Sequence, residues 1–122
     1  MLDTATAIEM SVQYAREVAK ILNPNAVILF GSHTKGTAKI NSDIDIAVIF
    51  DNFSGDYIET LKQLYKIRRN ISTYIEPVLL DISNDKCGFV EYILKTGVLV
   101  YKSQDFNLKN YLWWYLKSKI SV

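Results

Sequence analysis

The chain has 122 residues, 49% of them apolar, and a net charge of +1 with basic and acidic residues interspersed. That allows one packed domain spanning 1–122 and excludes a broad polyanion-coating role, so no direct nucleic-acid contact is expected. Cys87, the only cysteine, rules out an internal disulfide and a cysteine-rich zinc site; with no signal-peptide pattern in "MLDTATAIEM" and no apolar run near the ~20 residues of a membrane helix, a cytoplasmic domain without membrane contact is expected.

Apolar residues Ile8, Val12, Ala15, Ala19 and Leu22 recur at spacings of three and four, which predicts a helix over Thr4 to Leu22 with that stripe inward. Asp3, Thr4 or Thr6 is available as its cap, and Asn23-Pro24 stops it. "AVILF", Ala26 to Phe30, is apolar throughout and short, as a strand buried on both faces is. Gly31-Ser32 ends it, and "HTKGTAKINS" follows as a loop or a loop around a short helix. "DIDIAVIF", Asp43 to Phe50, is the second strand. Ser54 or Asp56 can cap a helix from Tyr57 to about Ile71, with Ile58, Leu61, Leu64, Tyr65 and Ile71 inward. "YIEPVLLD", Tyr74 to Asp81, is a third strand, and Pro77 predicts an edge position or a bulge there. A helix in "NDKCGFVEYILKTG", capped by Asn84 or Asp85 and closed by Gly97, precedes a fourth strand, "VLVYK". A last helix runs from Asp105 or Asn107 to about Lys119. The interleaving of strands and helices predicts an α/β or α+β fold, a small mixed sheet of about four strands covered by helices.

Asp43 and Asp45 stand out at the mouth of an apolar strand. Side chains alternate along a strand, so both carboxylates point the same way, opposite Ile44, Ile46 and Val48. Parallel carboxylates repel one another unless a cation sits between them, and magnesium is the usual hard cation for such oxygen ligands, completing its shell with waters and substrate phosphates. Gly31 lets backbone approach a ligand, Ser32 supplies a hydroxyl, a helix starting after Ser32 would offer N–H groups to an anion, and Lys35 and Lys39 add positive charge. A phosphate cradle beside a metal-ligand pair describes a nucleoside-triphosphate site. Asp-x-Asp and Gly-Ser are each common, but here ten residues separate Ser32 from Asp43, both adjoin apolar strands, and Ser42 directly precedes the acidic pair.

"GSHTKGTAKINSDIDIAV" resembles the signature of the DNA polymerase beta-like nucleotidyltransferases, and the chain size and "EYILKTGVLVYKS" resemble the minimal nucleotidyltransferases (MNT), many of them antitoxins paired with HEPN-domain RNase toxins. The resemblance spans roughly Ala26 to Lys102. It implies a polymerase beta-like fold in which Gly31 and Ser32, with Lys35 and Ser42, bind the nucleotide and Asp43 and Asp45 hold Mg2+. A third carboxylate, which deprotonates the acceptor or joins the Asp pair as a metal ligand, belongs on the later strand: Glu76 in "YIEPV" matches best, a departure from the usual Asp, and Asp81 is the second choice. The implied activity is Mg-dependent transfer of AMP from ATP to a tyrosine hydroxyl of a partner HEPN toxin, in a possible hetero-oligomer. Two other readings stand beside it: a small-molecule nucleotidyltransferase completed by a partner subunit, and an antitoxin that inhibits by binding alone.

The remaining chemistry-bearing residues have plainer expectations. His33, the only histidine, is expected to be a solvated loop residue, although it sits in the phosphate loop. Arg68 and Arg69 belong by default to a solvated helix face. Cys87 is expected buried or half-buried in a helix. In "NYLWWYLKS", Trp113 and Trp114 lie off the Leu108, Tyr111, Leu112, Tyr115 face, which suggests a protein contact.

Overall fold

The computed structural model describes residues 3–39 and 41–106; the last predicted helix, with Trp113 and Trp114, lies outside them. Helix α1 runs over Thr4–Leu22, with the Asp3 carboxylate accepting from Thr6 N–H at 2.8 Å and Asn23 in the left-handed conformation closing its end. Strand β1 is Ala26–Phe30, and a one-turn helix, α2, follows at Ser32–Lys35. Strand β2 is Ile44–Phe50. Asp56 caps α3, Tyr57–Arg68, by accepting from Glu59 N–H. Strand β3 is Ile75–Asp81, α4 is Phe89–Thr96 and β4 is Val98–Lys102.

The sheet is mixed, in the order β3-β2-β1-β4. β1 is antiparallel to both β2 and β4, and β2 is parallel to β3. A parallel pair needs a crossover, which α3 supplies. Helices α1 and α3 cover one face over a core that includes Tyr14, Val18, Leu29, Ile46, Leu64 and Ile75. α4 covers the other, over Ile28, Ala47, Ile49, Val90 and Ile93. The four-stranded mixed sheet with helical layers is the predicted fold class. Pro77 does lie in an edge strand. Ile44 N–H donates to Tyr74 O, so even-numbered residues of β3 bond to β2 and odd-numbered ones face outward, where a missing N–H leaves no gap in the ladder.

Three expectations change. The buried stripe of α1 is Ala7, Ser11, Tyr14, Ala15 and Val18, with Ile8, Val12, Ala19 and Leu22 only half-buried. The helix is turned by about one residue, because small Ala7, Ser11 and Ala15 let it approach the sheet and Tyr14 can place its hydroxyl on Leu64 O at 2.8 Å. Ile58 of α3 is exposed. α4 begins later than predicted, at Phe89. Asp85 caps it from outside by accepting from Val90 and Glu91 N–H, which leaves Cys87 exposed ahead of the helix.

Candidate active site

Gly31 is where β1 turns into α2. Its φ of +82° and ψ of −148° belong to a region that side chains disfavour, and a Cβ built there would collide with the Asp45 carboxylate. Glycine is required on both counts: the loop backbone lies directly against a carboxylate of the next strand. The turn is fixed by Thr34, whose N–H and hydroxyl both donate to Gly31 O, at 3.0 and 2.8 Å. α2 starts at Ser32, as a short helix in the loop would.

In the ladder Asp45 pairs with Phe30 on one side and with Glu76 on the other. Register-paired residues share a face, so Asp43, Asp45 and Glu76 lie on the α4 side of the sheet, at the end of β2 and β3 next to Gly31. Neighbouring strands are about 4.8 Å apart, and the charges feel one another. Burial pushes the Asp45 carboxyl up, Asp43 and Glu76 push it further, and His33 and Lys35 oppose them. Lys35 also lies over the exposed Tyr92 ring, 5.8 Å from its centroid.

Glu76 is gripped from the edge. Tyr65 donates its hydroxyl to Glu76 Oε2 at 3.1 Å, and Arg68 donates from Nη1 to Oε1 at 3.3 Å. The same guanidinium nitrogen donates to Thr73 O at 3.1 Å and Ile75 O at 2.7 Å, and the guanidinium carbon stands 4.7 Å from the Tyr65 ring centroid. Ile75 O is an outward-facing carbonyl of an edge strand and Thr73 O lies in the turn just before it, groups that need a partner other than a neighbouring strand. Arg68 is therefore part of the site's frame, with only 23% of its side chain exposed, and not a solvated residue. The sequence carried a usable signal: Tyr65 and Arg68 are three apart on one helix face, beside a strand that Pro77 marks as an edge. Burial pushes the Tyr65 phenol up, and its bond to Glu76 adds to this.

His33 corrects another expectation. It is buried, 4% exposed, and neither ring nitrogen has a hydrogen-bond partner among the described residues. The short helix buries its ring, near enough to Asp45 to oppose the rise of that carboxyl. Ser42 accepts at its hydroxyl oxygen from Lys39 N–H at 2.7 Å and donates its own N–H to Lys39 O, closing the turn that precedes the acidic pair. Its observed contacts among the described residues are internal to the loop. Asp81 lies at the opposite end of the strand, paired with Phe50. It accepts from Asn52 and Phe53 N–H and from the N–H and hydroxyl of Ser83. The structure thus brings Gly31, Ser32, Lys35, Asp43, Asp45 and Glu76 together and leaves Asp81 out.

Among the described residues no three His, Cys, Asp or Glu side chains are arranged to hold a metal by themselves. The pair Asp43 and Asp45 does fit Mg2+, which typically takes one or two protein carboxylates and draws the rest of its shell from waters and phosphates. The mutual repulsion registered at Asp45 is what such a cation relieves.

Residues 13–106 match the profile of the family "Polymerase beta, Nucleotidyltransferase". The chain belongs to this polymerase beta nucleotidyltransferase family. Solved structures share the fold. A candidate nucleotidyltransferase from Sulfolobus solfataricus superposes with a TM-score of 0.61 at 22% identity, over 84% of this chain and 86% of that one. A chain of a toxin–antitoxin crystallised with AMP-PNP gives 0.54 at 21% identity, over 88% and 90%. A chain from a tri-AMPylated Shewanella oneidensis HEPN toxin in complex with its MNT antitoxin gives 0.53 at 19% identity, over 95% and 91%. A search of curated proteins finds no match. Among the described residues no helix is long and apolar enough to cross a membrane.

Proposed function

We propose that this chain is a Mg-dependent nucleotidyltransferase that moves AMP from ATP to a tyrosine hydroxyl of a HEPN-domain RNase partner, and so acts as that toxin's antitoxin. The observation that carries the reading is the register of Asp45 with Glu76 beside the Gly31 turn, which gathers three carboxylates against a backbone cradle only glycine allows. The structural likeness to toxin–antitoxin chains supports the choice of partner.

In this reading the Gly31–Ser32 turn receives the phosphates and Lys35 adds positive charge beside them. Asp43 and Asp45 would hold Mg2+, which when bound offsets charge on the phosphate oxygens. Glu76 takes the proton of the acceptor hydroxyl. Tyr65 and Arg68 keep Glu76 oriented, and the close packing of Gly31 on Asp45 fixes the cradle relative to the carboxylates. Positioning of this kind supplies most of the catalysis in nucleotidyl and phosphoryl transfer. Adding AMP to a tyrosine near the toxin's RNase site would set negative charge against its substrate.

A second reading, inhibition by binding without transfer, draws on one observation: Glu76 Oε1 is already paired with Arg68. One experiment separates the two. The chain is incubated with labelled nucleoside triphosphates, Mg2+ and the protein encoded by the neighbouring gene, and that protein is then weighed by mass spectrometry. A mass increase of one or more AMP groups on tyrosine is the expected result. A tight complex with unchanged mass would leave only the binding role. Transfer to an added small hydroxyl compound would redirect the reading to a small-molecule enzyme completed by its partner.

A further inference from the structure

The site already contains a tyrosine hydroxyl at the carboxylate assigned to receive the acceptor's proton. Tyr65 Oη lies 3.1 Å from Glu76 Oε2, and Glu76 is the register partner of Asp45. Tyr65 is half-buried and also lines an open groove of about 650 Å³ along α3, with Ile58, Lys62 and Arg69 among its walls, so part of its side chain is reachable from solvent. The other described tyrosines differ. Tyr14 is fully buried and donates to Leu64 O, and Tyr57, Tyr74, Tyr92 and Tyr101 donate to no carboxylate among the described residues.

We propose that Tyr65 is an acceptor in its own right: the chain transfers a nucleotide to Tyr65 in cis when no partner tyrosine occupies the site. This rests on the proposed function, since it uses the same donor and the same carboxylates. The bond that forms joins Tyr65 Oη to the α-phosphorus of ATP. The bond that breaks joins the α-phosphorus to the bridging oxygen, and pyrophosphate leaves with that electron pair. The phenolic proton passes to Glu76 Oε2 along the hydrogen bond already present. Arg68, stacked on the Tyr65 ring, stays beside the new phosphodiester and offsets its charge. The adduct fills the acceptor position, so a chain modified at Tyr65 is closed to further transfer.

The test uses the full chain with ATP labelled at the α-phosphate and Mg2+, first alone and then with the neighbouring-gene protein. Alone, the chain is expected to gain one AMP, mapped to Tyr65 by peptide fragmentation, at a first-order rate that does not change with chain concentration. Tyr65→Phe should lower the label by roughly tenfold or more, with its melting temperature checking that the fold persists. Glu76→Gln should lose the label with Tyr65 still in place. A wild-type chain that labels the partner protein but carries no AMP on Tyr65, or carries it elsewhere, overturns this inference and leaves the proposed function standing. A chain that labels neither itself nor its partner overturns both.

Discussion

The two ends of the β2–β3 pair hold the same chemistry in opposite states. At one end Asp43, Asp45 and Glu76 face one another, and burial with like charge drives the Asp45 carboxyl up. At the other end, Asp81 is pushed up by partial burial, but hydrogen bonds from Ser83, Phe53 and Asn52 outweigh that and hold its carboxyl below the ordinary value. Asp45 is left beside two like charges, whereas Asp81 accepts four hydrogen bonds, on the same two strands. An acidic residue whose needs the fold meets is part of the scaffold. One left beside like charges, as Asp45 is, is a candidate for holding a cation or a ligand.

Substitutions at the two ends should therefore have opposite signatures. The largest effect is expected from Asp43→Asn or Asp45→Asn. Each should reduce AMP transfer to background while the metal-free melting temperature stays level or rises, because a repelling charge is gone. Wild-type turnover in either variant would remove the metal-site reading. Glu76→Gln should likewise lose transfer yet keep binding AMP-PNP with Mg2+, measurable by calorimetry. If Asp81→Asn proves to be the inactive variant, the third carboxylate has been placed on the wrong end of β3.

Gly31→Ala strikes the contact between the two halves of the site. Backbone strain at such φ values costs about 1–3 kcal/mol, and the collision with Asp45 adds to it, so both stability and nucleotide binding should fall. Asp81→Asn should do the reverse of Asp45→Asn. Losing charged acceptors for three N–H groups and a hydroxyl should cost about 2 kcal/mol, read as a melting temperature several degrees lower, with transfer per folded molecule retained.

The smallest effect is a difference in pH dependence. Asp45 has a raised carboxyl, so the folded chain binds its proton more tightly than the unfolded chain does. Its contribution to stability is therefore present at low pH and is lost as pH rises through the folded value. Asp81 has a lowered carboxyl, so its contribution is present above the unfolded value and is lost as pH falls through the folded one. Melts of the metal-free protein from neutral pH into the carboxylate range should show the gap between wild type and Asp45→Asn shifting in favour of wild type on acidification. The gap between wild type and Asp81→Asn should shrink instead. Parallel shifts in both would contradict the contrast between the two ends.

Much of this site was legible before any fold. The period-two alternation of "DIDIAVIF" put Asp43 and Asp45 on one face, and Gly31-Ser32 after an apolar run marked a tight turn. The resemblance to nucleotidyltransferases pointed to Glu76. Position along the chain could not say where His33 would face, since a one-turn helix can present a side chain to solvent or to the sheet equally well. Nor could it show that Arg68 closes the carbonyl of Thr73 in the turn and the outward carbonyl of Ile75, because that depends on β3 being the edge strand and on α3 ending beside it.

By itself the sequence set the local structure to within a few residues: Asp3 among three candidate caps for α1 and Asp56 among two for α3, Asn23 as a stop, Pro77 at an edge or a bulge, and each strand as an apolar run. These follow from short-range sterics and hydrogen bonding, which act over a few neighbouring residues. Only the tertiary structure decided which face of α1 is buried, where small Ala7, Ser11 and Ala15 let the backbone approach the sheet. It also decided which carboxylates meet. Parallel pairing of β2 with β3 set Glu76 beside Asp45 and carried Asp81, five residues further along, to the other end. A parallel register is fixed by how the crossover helix and the buried faces pack, and a shift of one residue would have turned Glu76 to the opposite side of the sheet.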